Sequence, residues 1–179
     1  MTLSIEDAKR IIAAPKRLIG IREWEIKARG GNTSPYSAFE ARVEIDGTIP
    51  RGLWFRANVR PRQMDSATFQ LECDLPDNRS HLPLYRLDWR PLSNHLNGDH
   101  GPPKLRGLLF AAGESHEHSC LDHAIEHEGR IRTGGVQTAT KIDPDFPTYQ
   151  DALAYVCVKL TLVNCAEIPP VRDLGGLFP

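Results

Sequence analysis

Four stretches between residues 37 and 90 alternate apolar and polar side chains with a period of two: SAFEARVEI, LWFRANVRPR, TFQLEC and HLPLYRLDWR. Successive side chains of a strand point to opposite faces, so this period belongs to strands with one dry and one wet face. Phe39, Ala41, Val43 and Ile45 then point one way, as do Leu53, Phe55, Ala57 and Val59, then Phe69, Leu71 and Cys73, then Tyr85, Leu87 and Trp89. Consecutive strands with short connections pair with their neighbours in sequence. The pattern therefore predicts an α+β chain built on an antiparallel β-meander or partial barrel. A fifth stretch, KLRGLLFAA, is more continuously apolar and reads as a central strand or the last covered one.

Helices flank this sheet. Ser4 and Asp7 form a capping arrangement, and Ile5, Ala8, Ile11 and Ile12 recur at helical spacing until Pro15. Late in the chain Thr148 and Asp151 supply a second cap, and Ala152, Tyr155, Val156 and Leu160 form a stripe. The first helix opens the chain and the second is expected to cover the sheet. The length of 179 residues and the single alternating block fit one domain over residues 1–179, with an irregular Pro/Gly-rich tail over 166–179.

The formal charge of −1 excludes a global electrostatic case for DNA or an anionic membrane. The balance conceals an asymmetry: residues 1–112 carry 17 basic and 13 acidic side chains, and residues 113–179 carry 5 and 10. No stretch approaches the roughly 18 apolar residues of a membrane span, and the N-terminus has no apolar run of signal-peptide length. A cytoplasmic protein is expected. Cys73, Cys120, Cys157 and Cys165 form no CxxC pair, which fits reduced thiols, with Cys73 and Cys157 serving as small buried hydrophobes.

Six of the seven histidines, His95, His100, His116, His118, His123 and His127, fall between residues 95 and 127. In GESHEHSCLDHAIEHEG, His116 and His118 share a face if the backbone is extended, whereas His123 and His127 share one only in a helix. Neutral imidazoles from His116 and His118, with a third ligand from His95, Asp99, Cys120 or Asp122, suit a divalent metal such as zinc. Without a metal, two histidines can act as general base and general acid on a phosphodiester. The plain alternative is a solvated acidic loop. Cys120 beside His118 and His123 also allows a Cys/His nucleophile to be drawn.

A second constellation lies on the strands. Trp54, Arg56, Asn58 and Arg60, with Arg62 next in the alternation and Arg86 and Arg90 on a neighbour, compose a face able to stack a base and clamp phosphates or carboxylates. Charges on the wet face of a sheet also pair across strands, so Arg56 has Glu40, Glu44 or Glu72 as prospective partners, and Asp88 between Arg86 and Arg90 reads as a surface ion pair. There is no GxSxG, P-loop or dinucleotide fingerprint, and GGNTS and RTGGVQT lack the strand and helix context of phosphate loops.

In YRLDWRPLSNHLNGDHGPP, ESHEHS and the helix after DFPTYQDAL, the chain resembles a family of short uncharacterised bacterial proteins often encoded near mobile or defence-related genes. The resemblance matches His95 and Asn97 to a His/Asn turn and His116 and His118 to a His-x-His element. A longer insertion separates the two elements here, and Ser119 and Cys120 replace hydrophobic and aromatic residues. The resemblance implies no established activity, but it gives His95, His116 and His118 more weight than His123 and His127.

Two function classes follow. One is a small hydrolase acting on phosphodiesters, in which His95, His116 and His118 bind metal or transfer protons and Trp54, Arg56, Arg60 and Arg86 hold the substrate. The other is a non-catalytic module whose basic, aromatic strand face docks nucleic acid or a protein partner.

Overall fold

The computed structural model describes residues 3–27, 35–60, 65–74, 81–99, 101–123, 126–127, 130–131, 137–143 and 145–171. Arg62, His100, the GGNTS segment, most of RTGGVQT and the last residues of the tail lie outside that set, as do the side chains of Asp122, His123 and His127.

The described elements run α1 (Ile5–Ala13), β1 (Lys16–Ile19), β2 (Glu25–Lys27), β3 (Tyr36–Ile45), β4 (Leu53–Val59), β5 (Ala67–Asp74), β6 (His81–Trp89), β7 (His95–Leu96), β8 (Leu109–Phe110), β9 (His116–Ser119), α2 (Cys120–His123), β10 (Glu126–His127), β11 (Arg130–Ile131), β12 (Thr140–Lys141) and α3 (Tyr149–Lys159). The main sheet has eight strands in the order β1-β3-β4-β5-β6-β9-β12, with β2 also on β3, and every pairing among them is antiparallel. It is an α+β fold, and the sheet does not close into a barrel.

The period-two residues behave as their spacing requires. Phe39, Phe55, Phe69, Leu71, Tyr85, Leu87 and Trp89 are buried together on one face, under α3. Helix α3 lays Tyr149, Ala152 and Val156 on that face, and Tyr149 meets the rings of Phe69 and Trp24. Thr148 closes a capping box with Asp151, which satisfies the first free N–H groups of the helix. Ser4 caps α1 in the same way, its hydroxyl accepting from the Asp7 N–H.

Two expectations are corrected. The apolar run KLRGLLFAA does not join the sheet: residues 103–105 form a 3-10 turn, Gly107 takes a φ of +69°, and only Leu109–Phe110 is extended, pairing with β7 in a separate two-stranded ribbon. The last meander strand is instead β9, which restarts after a turn at Gly113, where φ is +85°. The left-handed conformation at these glycines is what bends the chain out of the sheet. The cysteines also differ. Cys157 and Cys165 are joined in a disulfide, their Cα atoms 6.1 Å apart, because the turn after α3 folds the chain back across eight residues. Cys73 and Cys120 form no disulfide. No described helix is long and apolar enough to cross a membrane.

The two ends of the described chain meet at Lys16. Its buried Nζ donates to the carbonyls of Ile12 (2.7 Å), Ala14 (2.6 Å) and Leu160 (2.7 Å), where α1 and α3 end. A cation at two helix C-termini meets unsatisfied carbonyls and the negative end of each helix dipole. Beside it Asn164 accepts from the Leu18 N–H and donates to the Leu18 carbonyl, which extends β1 with a side-chain mimic of a strand.

Candidate metal centre

The register of β6 with β9 sets Arg86 opposite His118 and Asp88 opposite His116. All four side chains therefore share the face of the sheet away from α3. Between the two histidines, Glu117 points through to the other face, accepting hydrogen bonds from Tyr85 (2.8 Å) and Tyr155 (2.9 Å) and pairing with Lys159 at 2.9 Å. One four-residue strand thus supplies two histidines to one side and an anchor for α3 to the other.

His95 arrives from β7, outside the main sheet. Residues opposite in an antiparallel pair project to the same side, so His95 and Phe110 share the ribbon face that meets His116. The ring of His95 lies 5.1 Å from His116 and 5.0 Å from His118, and those two are 5.2 Å apart. Asn97 holds this ribbon down: it is buried, donates to the carbonyls of Leu105 and Ala139, and accepts from the Ala139 N–H.

The hydrogen bonds determine which nitrogens carry lone pairs. Nε2 of His95 faces two acceptors, Asn97 Oδ1 and the Gln137 carbonyl, each at 3.0 Å, so it bears the hydrogen and Nδ1 is free. Nδ1 of His116 donates to the Glu114 carbonyl at 2.9 Å, which leaves Nε2 free. His118 is 3% exposed, and its Nδ1 is buried with no partner. Such second contacts orient imidazoles toward a metal, and a buried orphan nitrogen is costly unless something occupies it.

Electrostatics favours neutral rings at His95 and His116. Burial lowers the pKa of His116 and, with the added repulsion of His118, that of His95. Burial would raise the Asp88 carboxyl, but hydrogen bonding from His118 and the Arg86 guanidinium outweighs it and holds the group at about 2. Asp88 Oδ1 is saturated by Thr68 Oγ1 (2.9 Å) and by Arg86 Nε and Nη2 (2.9 and 2.8 Å). Oδ2 stands 3.6 Å from His116 Nε2 and 3.5 Å from His118 Nε2. Ligands in tetrahedral zinc sites with bonds near 2.05 Å are separated by about 3.3 Å. Asp88 Oδ2 and His116 Nε2 are already close to that spacing, and donor nitrogens of all three histidines lie within 4.8 Å of one another. The donor set fits a borderline divalent ion. Arg86, Asp88, His95, Leu96, Gly98, His118 and Gln137 line a cavity of about 360 Å³ beside it.

The sequence-derived residues divide. His95, His116, His118 and Arg86 come together. Arg56 shares their face and their cross-strand row through Gln70, but it lies two strands from Arg86 and three from His118, roughly 14 Å from the latter at the usual strand spacing. Its guanidinium is paired with Glu72 and, at 3.4 Å, with Glu40, two of the partners that the strand alternation allowed. Trp54 donates to Asp74 at 3.1 Å and lines a different cavity of about 390 Å³, and half-buried Arg60 ends β4 with its N–H on the Ser66 carbonyl. Of the third ligands considered, His95 joins the pair; Asp99 is exposed, and Cys120 is buried in α2. From the sequence Asp88 reads as an ion pair with its strand neighbours, and Arg86 is that partner; its place directly opposite His116 follows only from the pairing of β6 with β9.

Comparison with protein-family models, with curated proteins and with solved structures finds no match.

The Glu117 network carries its own prediction. Burial and Glu117 raise the pKa of Tyr85 and of Tyr155, and for Lys159 the pull of Glu117 outweighs burial and raises it too. Groups whose folded pKa exceeds the unfolded value stabilise fully below the latter, here 10.0 for tyrosine and 10.5 for lysine, and lose that contribution as pH climbs past it. Glu117→Gln should therefore cost about 1.5 kcal/mol at pH 7, and the difference from wild type should shrink above pH 10. Urea unfolding at both pH values checks it; a difference that grows with pH would refute this account.

Proposed function

We propose that His95, His116 and His118 bind a divalent metal and that the protein is a hydrolase of phosphodiesters. The observation that supports this most is the clustering of three imidazoles, two of them buried, beside a cavity lined by His95, His118, Asp88 and Arg86. A three-histidine set with an open position is the donor arrangement of catalytic zinc, and the ion would supply a polarised water at neutral pH. Asp88 Oδ2, its partner oxygen tied down by Arg86, would accept a hydrogen bond from that water and orient it. Arg86 has five N–H donors, of which Asp88 engages two, and it brings the cavity a cation for a phosphoryl oxygen.

A metal-free acid/base pair drawn from His95 and His116 has less in its favour, because it needs one imidazolium while burial disfavours protonation of both. A docking module on Trp54, Arg56 and Arg60 also has less, since the Arg56 charge is matched by two carboxylates. The cytoplasmic placement expected from the sequence belongs to this proposal as well; in such a compartment the Cys157–Cys165 bond would stand in exchange with reducing thiols.

The test is hydrolysis of bis(p-nitrophenyl) phosphate by chelator-treated protein and by protein reloaded with zinc or manganese. Turnover should require the metal and fall at least about a hundredfold in His95→Ala. Turnover indifferent to both, or none with any ion, would return the chain to the docking class.

A further inference from the structure

The ribbon that brings in His95 has a second face. Leu96 and Leu109 stand opposite each other on it and are 64% and 62% exposed, with Leu108 beside them also exposed. A two-stranded ribbon packed by one face normally turns polar residues outward. Here the outward face is apolar, and Leu96 is at the same time a wall of the cavity that contains His95, His118, Asp88 and Arg86. The apolar surface therefore begins where the polar site ends.

We infer that the substrate is an amphipathic phosphoester: an anionic head reaching the histidines and Arg86, and an apolar arm of several carbons lying across Leu96 and Leu109. The size of the patch selects this occupant. Three leucine side chains fall well short of the about 800 Å² that each partner contributes to a standard protein interface, whereas they suit a short alkyl or aryl group. The charges agree with it, because the cation of the cavity, Arg86, lies on the polar side and the leucines carry none. The inference rests on the proposed hydrolytic site in one respect, that the head of the same molecule occupies the histidine cavity.

The experiment is calorimetric titration of n-alkyl phosphates from methyl to hexyl into the full chain, with and without one equivalent of zinc, zinc stoichiometry being measured separately. Burial of each methylene should tighten binding by up to about fourfold until the leucines are covered. The slope of affinity against chain length should flatten in Leu96→Ser/Leu109→Ser and persist in Val158→Ser, a control at an exposed apolar residue on α3. A flat series in wild type, or a slope the leucine variant leaves intact, overturns the inference whether or not zinc binds. Absence of zinc binding with a rising, leucine-dependent series would instead refute the metal reading and leave the apolar arm standing.

Discussion

On the proposed metal reading, wild type should carry near one ion per chain and His116→Ala/His118→Ala none, as elemental analysis of tag-free protein purified without chelators would show. The two rings are two of the three imidazoles of the cluster and sit on a strand held between β6 and β12, so the variant leaves His95 as the one imidazole of that cluster. Binding should also stabilise. A ligand present at a hundredfold excess over its dissociation constant adds about 2.7 kcal/mol, which for a chain of this size raises Tm by roughly 5–10 °C. Zinc should produce that shift in wild type and none in the double variant. Equal shifts in both, or no metal in either after zinc is added, would remove the cluster as a metal centre.

Lys16→Met should cost about 3 kcal/mol, although the substitution keeps length and apolar character. Burial brings the lysine pKa down to about 8, so at neutral pH the side chain is still an ammonium with three donors, one for each carbonyl. Methionine fills the space and donates nothing. The carbonyls of Ile12, Ala14 and Leu160 would lose their donor where two helices end, and an unsatisfied buried acceptor costs about 1–3 kcal/mol. Urea unfolding monitored by tryptophan fluorescence measures the loss. A cost below about 1 kcal/mol would mean that water or backbone movement satisfies the three groups.

Much of this architecture is legible in sequence because it depends on period alone. The inward sets on β3 to β6 follow from alternation, and the helix starts follow from Ser4 and Thr148 with their acidic partners. His116 and His118 project together because the spacing of two is invariant in a strand, wherever that strand begins. What fails is whatever depends on long-range placement. KLRGLLFAA is apolar enough for a core strand, yet Gly107 and Gly113 turn it into a ribbon with leucines outward. Arg56 offers a cation to any ligand until Glu40 and Glu72 are seen beside it. Asp88 is an ordinary surface acid until β9 pairs with β6, and Cys165 gains its partner only from the turn after α3.

The clasp at Lys16 bears on the order in which the chain assembles. Strands β3, β4 and β5 each pair with their immediate successor, so each contact closes a short loop at little entropic cost. Lys16 and Leu160 are separated by 144 residues, and their bond presupposes that α1, the sheet and α3 are already in place. His95 and Gln137, 42 residues apart, close a loop of intermediate length over the finished β6–β9 pair. The meander is thus the local part of the structure, the histidine cavity is closed over it by a longer loop, and the lysine ties together helix ends that stand 144 residues apart.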